Sequence, residues 1–334
     1  MNISILGVGS WGSALALVLS ENKNCNISMY HHNNYYDNKS SFKYLEKTKI
    51  PRNVKIKSDL KDIKSKDVIF IALPTAYIHS TLKKITTNSN KDCFSFNSKS
   101  IWVNCSKGFD LEKNNIFSVS LIKEFGININ KFVVLSGPSH AEEVAKKIPT
   151  AVVSSSKSKQ SCSIVQDLLS NNYFRVYTNS DVVGVEIGGA CKNIISVAAG
   201  ICIGLRYGDN TIAALISRGL QEIIRLGIAL DANKNTFYGL SGLGDLSVTA
   251  FGKFSRNRQF GIKLGQGNSL KKSQSDIKMV IEGINATKIV HKISKKYKIN
   301  MPIVEQVYSI LFNGKDSKLA INELMDRKLK DEMI

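Results

Sequence analysis

Acidic residues are scarce in this chain. Its 334 residues hold 27 Asp and Glu against 46 Lys and Arg, a formal net charge of +19. A nucleic-acid binder of that charge would show a localised basic face with interleaved aromatics. That face is missing, because the lysines are scattered among asparagines and serines, as in Asn22-Lys23-Asn24 and across 154–159. No nucleic-acid partner is expected, whereas a positive field suits an acidic, phosphorylated small molecule. The six cysteines (Cys25, Cys93, Cys105, Cys162, Cys191, Cys202) contain no C-x-x-C pair, and the five histidines form no H-E-x-x-H. Reduced, buried thiols are expected in place of a disulfide framework, and no metal site. The longest apolar run, 194–205, is too short to cross a bilayer, and Met1 enters the first apolar run without a basic leader. A cytoplasmic protein without stable membrane insertion is expected. Low-complexity tracts and internal repeats are also absent.

What is present is a glycine fingerprint at the very start. Gly7-Val8-Gly9-Ser10-Trp11-Gly12 follows the apolar run 3–6 and opens the helix-like run 13–19. In that setting G-x-G-x-x-G reads as a dinucleotide-binding turn. Gly7 permits the tight turn, Gly9 lets backbone approach a pyrophosphate, and Gly12 allows close helix–strand packing. The alternative is a tight turn with no ligand. An Asp or Glu that would hold the adenosine ribose is missing after the second apolar run, 27–30, where the chain reads His31-His32-Asn33. Nothing there repels a 2′-phosphate, so NAD and NADP both stay open, and the histidine pair is equally readable as a solvated loop.

Hydrophobic content of 43% and charged content of 22% are ordinary for one or two globular domains. Residues 68–73, 101–105, 132–135 and 150–153 are near-continuously apolar, as parallel strands buried on both faces are. Their C-terminal ends carry turn residues, the place where doubly wound sheets bind ligands. From about Asp181 long helical patterns take over, at 183–205, 211–230, 275–297 and 303–312, with a glycine-rich interruption at 239–246. The expected architecture is α/β: a Rossmann-type, doubly wound, mostly parallel sheet over 1–180, then an all-helical substrate domain over 181–334.

Inside the first helix of that second domain lies Gly188-Gly189-Ala190-Cys191-Lys192-Asn193. Gly188 to Ala190 suits close helix packing. A Lys-Asn pair in an apolar helix either snorkels to the surface or is buried for a purpose. A desolvated lysine can exchange a proton with a substrate oxygen. Downstream, Asp245 in the glycine-rich segment could orient an ammonium. Arg256, flanked by Ser255 and Asn257, offers a planar fork for a phosphate.

These blocks together resemble the bacterial-type NAD(P)-dependent glycerol-3-phosphate dehydrogenases. The match runs through Gly7–Gly12, Ser106-Lys107-Gly108, Gly137-Pro138-Ser139 with Ala141, Gly188–Asn193, Ser217–Leu220, Gly242–Asp245, Ser255–Gly261, Glu282-Gly283 and Met301-Pro302-Ile303. The resemblance implies interconversion of dihydroxyacetone phosphate and sn-glycerol 3-phosphate with NAD or NADP, for phospholipid synthesis, by a homodimer. It implies Lys192 as proton acceptor. Substrate positions would be Lys107, Gly137, Ser139, Lys192, Asp245, Ser255, Arg256 and Asn257, with Thr249 nearby. Cofactor positions would be Gly7, Gly9, Ser10, Trp11, Gly12, His31, His32, Lys107, Ala141, Arg256, Val280 and Glu282.

Overall fold

The structure, a computed structural model, describes residues 1–33, 39–45, 48–60, 63, 65–87, 99–277, 279–329 and 331–332. Cys93 lies outside the described residues. Short apolar runs bounded by turns become strands. β1 (Asn2–Leu6), β2 (Asn26–Tyr30), β3 (Val54–Lys57) and β4 (Val68–Ile71) are joined by β5 (Ile101–Asn104), β6 (Phe132–Ser136), β7 (Thr150–Ser155) and β8 (Phe174–Asn179). They form one sheet in the order β3-β2-β1-β4-β5-β6-β7-β8. Every residue of β4, β5 and β6 is buried, which is why those runs carry no polar alternation. The chain order reverses between β1 and β4, and such a switch point opens a crevice at the strand C-termini.

All pairings are parallel except β6 with β7, where Val134 faces Ser155 and Ser136 faces Val153. The apolar run 150–153, grouped above with the parallel strands, is therefore antiparallel to one neighbour and parallel only to β8. The reason is the connection. The connection 137–149 holds only the one-turn helix Ala141–Val144, and no helix that could carry the chain back along the sheet as a parallel crossover does.

The helices of the sheet-bearing half are α1 (Ser10–Ser20), α2 (Ile78–Thr87), α3 (Phe117–Phe125), α4 (Ala141–Val144) and α5 (Lys159–Leu169). One apolar cluster packs Leu15 and Leu19 of α1 and Val165 and Leu169 of α5 on Ile3, Ile5, Phe70 and Val103. Another packs Leu82, Phe117 and Leu121 on Ile69, Ile71, Trp102 and Phe132. Helices thus cover both sheet faces, the arrangement that buried parallel strands require.

α6 (Val182–Gly204) follows, then α7 (Asp209–Ala229), α8 (Asp245–Phe251), α9 (Arg256–Gly265), α10 (Leu270–Ser275), α11 (Glu282–Lys296), α12 (Pro302–Asn313) and α13 (Ser317–Met325). The helix expected over 275–297 is shorter: Ser275 is the last residue of α10, and α11 begins only at Glu282. By internal contacts the chain forms two units. The first is Met1–Ala190 with Asp231–Asp245, and the second is Cys191–Leu230 with Leu246–Ile334. α6 thus belongs to the first unit through Ala190 and to the second from Cys191.

With 23 residues and a mean hydropathy of 1.5, α6 is long and apolar enough to cross a bilayer, yet 89% of its apolar window is buried inside the protein. It behaves as a core helix. Within the second unit it packs on α9 through glycines. A Cβ on Gly200 would stand 2.9 Å from the Cα of Gly261, and one on Gly204 would stand 2.9 Å from the Cα of Gly265. Bare backbone meets bare backbone at two levels one helical turn apart. Also in this unit, Glu222 of α7 is buried and accepts from the amides of Ile303 (2.7 Å) and Val304 (3.1 Å), capping α12 from outside.

Candidate active site

In the first unit, the glycine fingerprint sits at the C-terminal end of β1. Gly7 has φ +109°, and a Cβ there would stand 2.5 Å from the carbonyl oxygen of Ala72, so only glycine fits. A Cβ on Gly12 would drive into the carbonyl of Gly7 itself. Gly9 is different: a Cβ on it would meet nothing within 4 Å. Gly9 is also the N-cap of α1, offers no capping side chain, and precedes a first turn without an acid. The amides at the first turn of a helix carry partial positive charge, and the open space beside Gly9 leaves room there for a pyrophosphate. Ser10 Oγ donates to the carbonyl of Tyr44 (3.3 Å), and Trp11 packs against the neighbouring apolar cluster. His31 and His32 follow β2 directly, their rings 4.5 Å apart, with His31 Nδ1 3.1 Å from the carbonyl oxygen of Asn33.

Lys107 follows β5 and is the hub of this unit's polar cluster. Its ammonium lies 2.8 Å from Asp245 Oδ2, donates to the carbonyl of Gly137 (2.7 Å) and reaches Ser139 Oγ (3.3 Å). Ser139 Oγ in turn donates to the Gly137 carbonyl (2.9 Å). Asp245 has no exposed surface. It is delivered by a short 3-10 turn, Lys234–Tyr238, and a π-type turn, Leu240–Gly244, which is what the glycine-rich interruption builds. Gly188 and Gly189 let α6 approach this cluster: a Cβ on Gly188 would stand 2.5 Å from the Ser241 carbonyl oxygen, and one on Gly189 2.6 Å from Ser136 Oγ. Ala141 opens α4 just past Ser139 and is buried.

In the second unit, Lys192 is 7% exposed and donates to Thr249 Oγ1 at 2.8 Å. Snorkelling is thereby ruled out. Ser196, one turn further along α6, donates to the Thr249 carbonyl (3.0 Å) and shares a hydrogen bond with Ser255 Oγ (3.0 Å). Ser255 also caps α9, accepting from the Arg258 amide. Asn257 donates to Asn193 Oδ1 (2.8 Å) and accepts from the Gly283 amide (2.9 Å). Arg256 is exposed and donates to the Val280 carbonyl (3.3 Å), two residues before Glu282 opens α11. Ser255 and Asn257 thus spend hydrogen bonds on fixing the start of α9, while Arg256 projects outward beside Val280.

Cys105 and Cys191 lie next to these lysines in sequence. Burial pushes both thiols well above their ordinary range, so neither supplies a thiolate nucleophile near neutral pH. Sequence reasoning missed Glu186 and Asn104. Glu186 of α6 is buried, accepts from Asn104 Nδ2 (3.3 Å) and the Ser118 amide (3.1 Å), and is pushed up to about 7 by burial. An acid in an otherwise apolar helix was the available signal.

Comparison with known proteins bears on this arrangement. Residues 2–162 match the family model for the NAD-dependent glycerol-3-phosphate dehydrogenase N-terminus, and residues 181–322 match that for its C-terminus. A glycerol-3-phosphate dehydrogenase [NAD(P)+] of Bacillus subtilis is 44% identical, over 99% of this chain and 96% of its own length. One from Halothermothrix orenii is 43% identical, over 99% and 96%. The crystal structure of glycerol-3-phosphate dehydrogenase from Coxiella burnetii superposes with a TM-score of 0.90 at 35% identity, covering 98% of this chain and 99% of that one.

Proposed function

Because the chain belongs to the NAD-dependent glycerol-3-phosphate dehydrogenase family, we propose that it interconverts dihydroxyacetone phosphate and sn-glycerol 3-phosphate with NAD(P). The observation that carries the reading is the buried Lys192, its ammonium held by the hydroxyl of Thr249. A desolvated, hydrogen-bonded ammonium in an apolar helix has little structural value and a clear chemical one.

Gly7, Gly9 and Gly12 at the start of α1 would hold the pyrophosphate of a nicotinamide cofactor, whose chemistry would be to give a hydride to a carbonyl carbon or take one from a carbinol. Lys192 gives a proton to the C2 oxygen as the carbonyl is reduced, and accepts the hydroxyl proton in oxidation. Its positive charge also stabilises the oxyanion that develops on that oxygen. Thr249 aims the ammonium. Lys107, fixed by Asp245 and the Gly137 carbonyl, contacts substrate and cofactor. Arg256 presents its fork to a phosphate, with Asn257 and Ser255 holding the helix start that carries it. Binding energy from the phosphate, remote from the reacting carbon, orients C2.

Ser10, Trp11, His31, His32, Ala141, Val280 and Glu282 complete the cofactor contacts in this reading. The same proposal takes the protein as a cytoplasmic homodimer supplying glycerophospholipid synthesis, which rests on the family resemblance. The test is absorbance at the nicotinamide band, with dihydroxyacetone phosphate and NADH or NADPH in parallel. Oxidation of either cofactor is expected, and the ratio of rates reports what the His31-His32 loop accepts. Cofactor binding without oxidation would remove the proposed substrate.

A further inference from the structure

His79, the second residue of α2, has a side chain only 4% exposed, with its Nε2 2.6 Å from Oδ2 of the fully buried Asp110. Asp110 accepts two backbone amides on its other oxygen, from Glu112 (2.9 Å) and Lys113 (3.2 Å). Nε2 is thus the nitrogen turned to Asp110, and Nδ1 points the other way. There it lies 3.4 Å from Glu124 Oε2 and 3.8 Å from Glu112 Oε2, buried and without a hydrogen-bond partner. One imidazole nitrogen and two carboxylates therefore converge on a single spot, an arrangement that a cation placed among them would hold together.

We propose that His79, Glu112 and Glu124 form a site for a divalent transition-metal cation of the zinc class. Their ligand atoms all lie within 4.8 Å of one another. A tetrahedral ion with bonds of ~2.0–2.2 Å holds its ligand atoms about 3.3–3.6 Å apart, close to the 3.4 and 3.8 Å from His79 Nδ1 to the two carboxylates. One imidazole nitrogen and two carboxylate oxygens suit zinc or its neighbours, whereas magnesium and calcium favour all-oxygen sets. Asp110 provides the support such a ligand histidine ordinarily has, a carboxylate on its second ring nitrogen. The same Asp110 also sets the turn that carries Glu112, so one buried acid orients two of the three ligands.

The cations already present are Lys83, 3.1 Å from Glu112 and 3.8 Å from Glu124, and Lys113, 3.1 Å from Glu124. Both lysines are about half-exposed on flexible stems. Surface ion pairs of that kind contribute little, so a metal ion displaces them readily. Occupied, the site ties together α2, the turn 110–115 and α3. That turn begins three residues after Lys107, so the cation steadies the connection carrying the proposed substrate lysine without touching it.

Equilibrium dialysis of the full chain against Zn²⁺, with Mg²⁺ as the hard-cation control, tests the site. The wild type is expected to hold one equivalent of Zn²⁺ that the exposed-residue double variant Glu112→Gln/Glu124→Gln binds at least 30-fold more weakly. A rise in thermal midpoint with Zn²⁺ is expected in the wild type only, and the basal dehydrogenase rate is expected to be unchanged in the variant. Zn²⁺ uptake equal in both proteins, no uptake by either, or an equal response to Mg²⁺ would each overturn the proposal. Single Glu124→Gln, carried alongside, repeats the comparison with one ligand removed should the double variant fold poorly.

Discussion

The ammonium of Lys107 stands 2.8 Å from a carboxylate, that of Asp245, which has no exposed surface at all. Lys107 is a loop residue beyond β5 and Asp245 opens α8, just past a π-type turn far along the chain, so this pair joins a connection to a helix start. A buried acid whose partner is removed is left uncompensated. Lys107→Met is accordingly expected to lower folding stability by roughly 1.5–3 kcal/mol, the worth of a charged hydrogen bond. Urea unfolding measures it. A change of a few tenths would mean that the pair is a passive contact.

Lys192→Ala is expected to reduce kcat by about 10²–10⁴-fold, the usual contribution of a positioned proton donor. Cofactor affinity, followed by quenching of protein fluorescence on NADH titration, is expected to stay within about twofold. Loss of cofactor binding instead would move Lys192 out of the proposed chemical role.

Gly9 and Gly12 separate packing from binding. Gly12→Ala forces a methyl into the Gly7 carbonyl and is expected to destabilise the fold and weaken cofactor binding together. Gly9→Ala meets nothing within 4 Å, at a backbone φ of −76° that alanine adopts freely. Its thermal midpoint is expected to match wild type, while the KM for NADH rises at least 10-fold, because the methyl occupies space meant for the pyrophosphate. An unchanged KM would show that the cofactor does not approach there.

Glu222 and Glu186 predict a pH dependence. Burial pushes each up to about 7, against partial opposition from the amides and side chains that hydrogen-bond them. An acid whose pKa is raised by folding stabilises the native state most below its unfolded value, near 4.5. That contribution is lost as pH rises toward 7 and changes little above it. Stability from these two groups is thus expected to fall by a few kcal/mol between about pH 4.5 and 7. Urea unfolding across that range should show a shallower slope in Glu222→Gln than in wild type. An identical slope would mean that Glu222 is solvated or paired in solution.

Much of the fold was legible because burial writes itself into composition. β4, β5 and β6 are fully buried and appear in the sequence as unbroken apolar runs. β3 and β8 were not read from the sequence, since β3 reads Val-Lys-Ile-Lys at the sheet edge and β8 carries Arg175, Tyr177 and Thr178 toward solvent. The break before α11 was hidden for another reason. The Gly283 amide is taken by Asn257, so α11 must begin where that amide is still unpaired by its own helix. No local periodicity carries that information. At the site, Lys192 stood out as a charge in an apolar helix, whereas its partner Thr249 was pointed to only by the family resemblance, because a threonine near the end of a short helix is locally unremarkable. The two units' clusters depend on connections meeting in space, which only the fold decides.

The paired glycines of α6 and α9 bear on how this protein can change over time. Most tight contacts are negotiable: when one side chain grows, its neighbour shrinks. Here Gly200 and Gly204 face Gly261 and Gly265, and neither side has a side chain left to give up. A substitution at any of the four positions has no local remedy and must be met by moving a whole helix, one whose first turn carries Arg256 and Asn257. The four positions are therefore locked as a set, and the setting of the proposed phosphate-binding arginine is inherited with them.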